Sequence, residues 1–183
     1  MKYFKILIIP IFLIAILSIS CERDDICPDS TPTTPRLIID LYNSESPENK
    51  KNVFDLVVAG VDNDFILSDY NFKDTNQIIL PLKTDDNTTE YILIKEAFIN
   101  DNDTPDVATD DYVDGNTDII TINYSREQVY VSRACGYKTI FKNVTISLDD
   151  DDIDDDEWIV SQQPLNPNQS VENEDETHFN ILH

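Results

Sequence analysis

The residues best suited to chemistry in this sequence are its three cysteines. Cys21 follows an apolar run, Cys27 lies six positions further on, and Cys135 stands far along the chain. A thiol can carry a lipid, form a disulfide, bind a metal or act as a nucleophile. No histidine lies near Cys135 in the sequence to act as its base, so a catalytic thiol has little support. Lipid attachment and disulfide formation are therefore the leading interpretations.

The segment before Cys21 has the layout of a secretory signal peptide. Lys2 and Lys5 give a positive start, residues 6–17 are almost wholly apolar, and small serines precede the cysteine. A charged start, a short apolar core and small residues at the end are typical of such signals. The core is shorter than the roughly 20 residues that a membrane-spanning helix needs. We expect residues 1–20 to be a cleaved signal peptide, with an uncleaved anchor as the alternative.

The five residues that end at Cys21 resemble a bacterial lipobox. They read Leu-Ser-Ile-Ser-Cys, and in such a signal the cysteine is acylated on sulfur, becomes the first mature residue and is acylated again on its amino group. The apolar residue that usually stands three places before the cysteine is replaced by Ser18, with Leu17 one place earlier. Several acyl chains on one residue are enough for stable anchoring. The sequence therefore predicts lipidation of Cys21 and attachment to the outer membrane.

The acidic stretch after Cys21 bears on which side of the membrane the chain faces. Residues 22–25 read Glu-Arg-Asp-Asp, which resembles the surface-export signals of Bacteroidota lipoproteins. Such a stretch also suits any solvated tether. The periplasmic face and the cell surface are therefore both open. Residues 21–35 as a whole, acidic and then proline-rich, are predicted to be a tether.

The other two cysteines form an even pair once Cys21 carries a lipid. An exported chain meets an oxidising space, where such a pair is usually bridged, so we predict a disulfide between Cys27 and Cys135. The bridge would close a loop of over 100 residues, which is worth about 4 to 5 kcal/mol in the chain-entropy treatment. The alternatives are a bridge between Cys21 and Cys27 without lipidation, or two buried thiols.

The charge of the chain excludes one class of partner. The whole sequence has a net charge of −23, and removal of residues 1–20 leaves 11 basic and 36 acidic residues, a net charge of −25. Nucleic acid is excluded as a partner because phosphate binding needs clustered Lys and Arg. Such a field attracts cations or basic protein surfaces. Plain solubility is the favoured explanation of the acidic surface, because such surfaces are common on exported domains.

Residues 36–183 have the sequence pattern of short β-strands. Their segments are rich in Ile, Val, Tyr, Thr and Phe and are separated by Asp, Asn, Gly or Pro. No segment of ten or more residues has a convincing helical period. We predict one all-β domain, an antiparallel β-sandwich of about eight or nine short strands that is immunoglobulin-like or jelly-roll-like. The predicted strands are residues 36–42, 53–59, 77–82, 91–98, 118–124, 128–134, 138–148, 157–162 and 177–182.

Glycine is scarce, so Asn and Asp are expected to form most of the turns. The pair Asp114 and Gly115 is the best candidate for a hairpin turn, because Asp-Gly suits a two-residue connection between antiparallel strands. Cys135 and Gly136 lie between two predicted strands. We expect a turn or bulge there that presents the cysteine at a strand end.

Acidic loops raise the question of calcium. Hard cations bind several oxygen ligands, and the best-placed donors are Asp101, Asp103, Asp106 and Asp110. The EF-hand spacing fails, since Asp106 stands where that loop requires glycine. Acidic runs, including residues 149–157, are more often solvated loops than sites. A calcium site is therefore an alternative, and otherwise no cofactor is expected.

Groupings typical of enzymes are missing from the sequence. It contains no Gly-x-Ser-x-Gly elbow, no His-Glu-x-x-His and no glycine-rich phosphate loop. Its two histidines are His178 and His183, and we interpret His178 as an ordinary residue of the last strand. Trp158 is expected to pack in the core, with a sugar-stacking platform as the second interpretation. We predict that the chain is not an enzyme.

Several stretches resemble an uncharacterised family of small lipoproteins from Flavobacteria and other Bacteroidota. They are Cys27-Pro28, residues 31–39, the residues 130–138 around Cys135, the Trp158 strand and the His178 strand. The resemblance covers nearly the whole mature chain and implies an envelope compartment and a β-rich architecture, with no reaction. We predict a lipid-anchored, non-enzymatic cell-envelope protein that binds or supports another envelope protein. The alternative is a calcium- or glycan-binding surface module.

Overall fold

A computed structural model describes residues 26–61, 63, 65–103, 109–148 and 157–183. The predicted signal peptide and the lipidation at Cys21 lie outside the described residues. Within those ranges the chain is all-β, as predicted, and contains no helix. Its strands are β1 (Leu37–Tyr42), β2 (Val53–Gly60), β3 (Lys73–Thr75), β4 (Gln77–Leu80), β5 (Thr88–Asn100), β6 (Tyr112–Ser132), β7 (Gly136–Leu148), β8 (Ser161–Pro164) and β9 (Phe179–Leu182).

The strands form two sheets. One sheet has four strands in the order β4-β1-β9-β8, and the other has five in the order β3-β2-β5-β6-β7. Pairing is antiparallel between β1 and β4, β8 and β9, and β5 and both of its neighbours, but β1 and β9 are parallel, with Ile39 opposite Phe179. The expectation of an entirely antiparallel sandwich is wrong at this pair. No short turn joins β1 to β9, so nothing local in the sequence sets their relative direction.

A single hydrophobic core lies between the sheets, as a β-sandwich requires. Alternate residues of β1 (Leu37, Ile39, Leu41) and of β6 (Ile120, Ile122) enter this core with the period of two that strands impose. β1 is buried on its other face as well, so its sequence is a nearly continuous apolar run.

β6 is longer than predicted. The segment expected at 118–124 and residues 128–132 of the segment expected at 128–134 belong to one strand, which begins at Tyr112 and ends at Ser132. The residues between them, Ser125, Arg126 and Glu127, are all exposed, so they lack the alternation that marks a half-buried strand. β3 was missed for a related reason, because its three residues are polar and largely exposed.

The predicted hairpin turn at Asp114 and Gly115 is wrong. Both residues lie within β6, opposite a register shift of β5 between Lys95 and Phe98. A β-bulge needs the same permissive backbone as a turn, which explains the misleading Asp-Gly signal. Gly115 has φ +153°, and a Cβ there would lie 2.8 Å from Ile94 Cγ2.

The described chain divides into two compact units. The first combines the segment Met1–Thr31, described from residue 26 onward, with Tyr130–Tyr137. The second contains Pro32–Val129 and Lys138–His183, and it includes the whole hydrophobic core. The predicted boundaries of tether and domain, at residues 35 and 36, stay predictions.

We expect Gly115→Ala to lower the free energy of unfolding by about 2 kcal/mol, since the new methyl group meets both the Ile94 side chain and the Lys95 carbonyl. Denaturant titration followed by the fluorescence of Trp158 measures the change. Gly60→Ala is the matched control, because a Cβ there has only an ordinary contact with Asn63 at 3.4 Å. Equal effects of the two substitutions would contradict the bulge as the cause.

Candidate functional site

The turn between β6 and β7 lies where the sequence predicted a turn or bulge. β6 ends at Ser132 and β7 begins at Gly136, so Cys135 stands at a strand end as predicted. The Cys135 N–H donates to Ser132 Oγ at 3.0 Å and closes the turn. Gly136 has φ +69°, a left-handed conformation that glycine adopts without a steric penalty.

A disulfide joins Cys27 to Cys135, which confirms the predicted pairing. Their Cα atoms lie 4.9 Å apart although the residues are 108 positions apart in sequence. Thr31 Oγ1 lies 3.6 Å from Cys135 Sγ. The bridge excludes the alternatives of a bond between Cys21 and Cys27 and of two buried thiols, and it removes Cys135 as a nucleophile.

The residues beside this disulfide are exposed and aromatic or aliphatic. The rings of Tyr130 and Tyr137 meet edge to face, with centroids 5.4 Å apart, and their side chains are 58% and 66% exposed. Ile26, directly before Cys27, is 81% exposed. We call this surface, made of Ile26, Tyr130, Tyr137 and the bridge, the tyrosine tip.

The predicted calcium donors are only partly described. Asp106 lies outside the described residues, while Asp101, Asp103 and Asp110 lie within them. The Asp103 N–H donates to Asp101 Oδ1 at 3.2 Å, a local contact typical of a turn. Across the described ranges, no three His, Cys, Asp or Glu side chains are grouped so as to hold a metal ion. The calcium site stays a prediction.

A buried carboxylate that the sequence analysis missed lies at Asp118. It accepts hydrogen bonds from the N–H groups of Ile159 at 2.7 Å and Trp158 at 3.4 Å. Burial raises the pKa of Asp118, although these two hydrogen bonds act in the opposite direction. Asp118 therefore anchors the chain where it leaves the long acidic run. The sequence contained one sign of this role. Asp118 alternates with the core residues Ile120 and Ile122 along the strand, and an acid that faces a core needs hydrogen-bond partners.

A second buried carboxylate, Asp40, lies on the outer face of β1. It accepts from Gln77 Nε2 at 2.8 Å and Thr177 Oγ1 at 3.0 Å, and Lys50 Nζ lies 2.7 Å away. Burial alone would raise the pKa of Asp40, yet the hydrogen bonds from these three residues outweigh it and lower the pKa. This cluster ties β1 to its neighbours, and its acceptor atoms are fully engaged by the fold.

Both histidines are buried and hydrogen-bonded. His178, directly before β9, accepts the Ile38 N–H at Nδ1 at 2.9 Å, and its Nε2 lies 3.0 Å from the Asn173 carbonyl. This arrangement requires a neutral ring with the proton on Nε2, and burial lowers the pKa of His178. His183 Nε2 lies 3.2 Å from the Lys51 carbonyl. The two imidazoles serve the packing of strand ends.

Trp158 packs in the core, which confirms the first interpretation and makes the sugar-stacking platform wrong. Its side chain is 4% exposed, its Nε1–H donates to the Leu93 carbonyl at 3.4 Å, and its ring meets His183 edge to face. A platform for a sugar needs an open aromatic face, and Trp158 has none.

Surface depressions on the second unit are open and polar. One of about 300 Å³ contains Arg126, whose guanidinium donates to Asn87 Oδ1 at 2.9 Å and to the Thr84 carbonyl at 2.6 Å. Another, of about 490 Å³, is lined by Ser68, Asp69, Tyr70, Asn71, Lys73, Thr75 and Gln77. Neither has the apolar, enclosed lining that is usual for small-molecule sites.

Comparison with known proteins places the chain in a family without assigning an activity. The model of a family described as "Family of unknown function (DUF6452)" matches residues 55–183. No curated protein and no solved structure matches the chain. In the described part of the chain, no helix has the length and apolar character needed to cross a membrane.

Removal of the disulfide is expected to destabilise the chain. Replacing both Cys27 and Cys135 by serine should lower the free energy of unfolding by about 4 kcal/mol, because the unfolded chain loses a closed loop of over 100 residues. Denaturant titration of oxidised chains measures the difference. Reduced wild-type protein should match the double variant, and Cys21→Ser should leave the value unchanged. A loss below about 1 kcal/mol would contradict a stabilising bridge.

Stability should also fall on mild acidification. Burial holds the pKa of folded His178 below its ordinary value of about 6.5, so the unfolded chain binds more protons as the pH falls from 7 to 5. The free energy of unfolding therefore decreases with falling pH in this window. His178→Gln should flatten that decrease, whereas His183→Gln should keep the part due to His178. An unchanged pH dependence in His178→Gln would contradict the neutral, buried ring.

Proposed function

We propose that this chain, which belongs to the DUF6452 family of unknown function, is a lipid-anchored, non-enzymatic protein of the bacterial cell envelope. The observation that carries the proposal is the disulfide between Cys27 and Cys135. Structural disulfides persist in oxidising compartments and are rare in the cytosol, so the bridge supports export. Export is also what the signal-like residues 1–20 predict.

The anchor in this proposal is Cys21. It is the one cysteine of the three that does not take part in the disulfide, and it lies at the end of the apolar signal core. A cysteine at that position is the acceptor in lipoprotein signals that resemble this one, and several acyl chains give stable attachment. We therefore place the chain at the outer membrane, on its periplasmic face or on the cell surface.

A binding or structural role is favoured over catalysis by the way reactive groups are used. The two bridged cysteines have no free thiol, and His178 donates and accepts within the fold. The buried carboxylates Asp40 and Asp118 accept hydrogen bonds from their own surroundings. Acid–base and nucleophilic chemistry require such groups to face a substrate, whereas here they hold strands together.

The partner that suits the acidic surface of this chain is another envelope protein with a basic patch. The mature chain would carry a net charge of −25, which attracts basic surfaces and repels nucleic acid. The resemblance to lipoproteins of Flavobacteria and other Bacteroidota fits the same compartment. In this proposal the chain needs no cofactor.

The anchor can be tested in a Bacteroidota host that expresses the full chain. Feeding an alkyne-labelled fatty acid and isolating the protein should yield an N-terminal peptide that begins at Cys21 and carries acyl chains. Cys21→Ser should lose the label and should not yield a peptide that begins at residue 21, because no other residue takes the lipid. The double serine variant of Cys27 and Cys135 is the control and should keep the label.

An N-terminal peptide with an unmodified Cys21 would overturn the anchor. Protease treatment of intact cells in the same experiment separates the two faces of the membrane. Release of peptides from the β-domain indicates the cell surface, and protection indicates the periplasm.

A further inference from the structure

The tyrosine tip is an exposed apolar surface that the fold itself does not use. Its members Ile26, Tyr130 and Tyr137 are each more than half exposed, while most large apolar side chains of the described chain lie in the core. We propose that the tyrosine tip rests in the head-group region of the membrane that holds Cys21. This inference depends on the anchor proposed above and adds a second, non-covalent contact with the lipid.

Chain length restricts where the tip can be. Six residue steps separate Cys21 from Cys27, and an extended chain spans at most about 3.6 Å per residue, so Cys27 lies within about 22 Å of the lipidated residue. The disulfide then holds the Cys135 Cα 4.9 Å from that of Cys27. A turn that is 114 positions from the anchor in sequence is thereby kept beside the membrane surface.

The chemistry of the tip suits a lipid head-group region. Tyrosine has an apolar ring and a polar hydroxyl, and it is enriched where proteins cross from hydrocarbon to water. Ile26 adds an aliphatic side chain five positions after the anchor in the sequence. These groups gain from contact with the interface because exposed apolar area is removed from water.

Charge supports the same orientation. The described residues of the first unit contain one acid, Asp29, and one base, Arg133, so their formal charges cancel, although residues 22–25 before them contain three acids and one base. The mature chain as a whole would carry a net charge of −25. The acidic remainder of the protein is repelled by anionic lipid, whereas a neutral aromatic surface is not. The exposed rings of the tip can therefore meet the membrane without adding charge repulsion of their own.

Site-specific photo-crosslinking tests the inference in the full, lipidated chain. Tyr137 is replaced by the photo-crosslinker benzoylphenylalanine in cells whose lipids carry a labelled fatty acid. Tyr112, 49% exposed on β6 in the second unit, receives the same group as the matched control. We expect lipid adducts at position 137 to exceed those at position 112 by about tenfold.

Adducts of position 137 with a protein, or equal lipid yields at the two positions, would overturn the membrane contact. Serine at both Cys27 and Cys135 supplies a second check, since without the bridge the tip is no longer held near the anchor and lipid adducts at 137 should fall. Mass analysis of the N-terminal peptide in the same samples separates the two proposals. An acylated Cys21 with no preference at 137 refutes the tip alone, and an unmodified Cys21 refutes both.

Discussion

The first and last strands of the β-domain lie side by side, and the order of the four-stranded sheet depends on this pairing. β1 and β9 run parallel from Ile39 opposite Phe179 to Tyr42 opposite Leu182. Hydrogen bonds at both ends continue the pairing, with the His178 N–H donating to the Ile38 carbonyl and the His183 N–H to the Tyr42 carbonyl. Bringing residues some 140 positions apart into register costs loop entropy, and burial of both faces of β1 offsets that cost.

The buried polar side chains are found where this long-range arrangement needs them. Asp40 links β1 to Gln77, the first residue of β4, and to Thr177, which lies just before β9. His178 caps the start of the β1–β9 pair. Asp118 similarly receives the backbone that returns from the acidic run to the core. Each of these side chains exchanges its hydrogen bonds to water for hydrogen bonds to specific protein groups. A polar group can be kept inside a core only under that condition. Residue types usually associated with catalysis thus hold the fold together.

The disulfide and the β1–β9 pairing are both long-range contacts, one covalent and one non-covalent. Both join residues more than 100 positions apart, but the bridge acts through the unfolded chain, whereas the strand pair acts through burial and hydrogen bonds. The proposed attachment at a membrane surface rests on this bridge and on the exposed tyrosine tip beside it.

The sequence by itself determined the all-β class and the core position of Trp158, because these follow from local patterns. It favoured the pairing of Cys27 with Cys135 through the interpretation of Cys21 as the lipid acceptor. Tertiary structure alone decided the parallel β1–β9 pair, the single strand through residues 125–127 and the bulge at Gly115. It also decided the roles of Asp40 and Asp118, although an acid in phase with core residues was visible at Asp118. The physical reason is common to all of these. Strand direction, register and the partners of buried polar groups are set by residues distant in sequence, which no local pattern records.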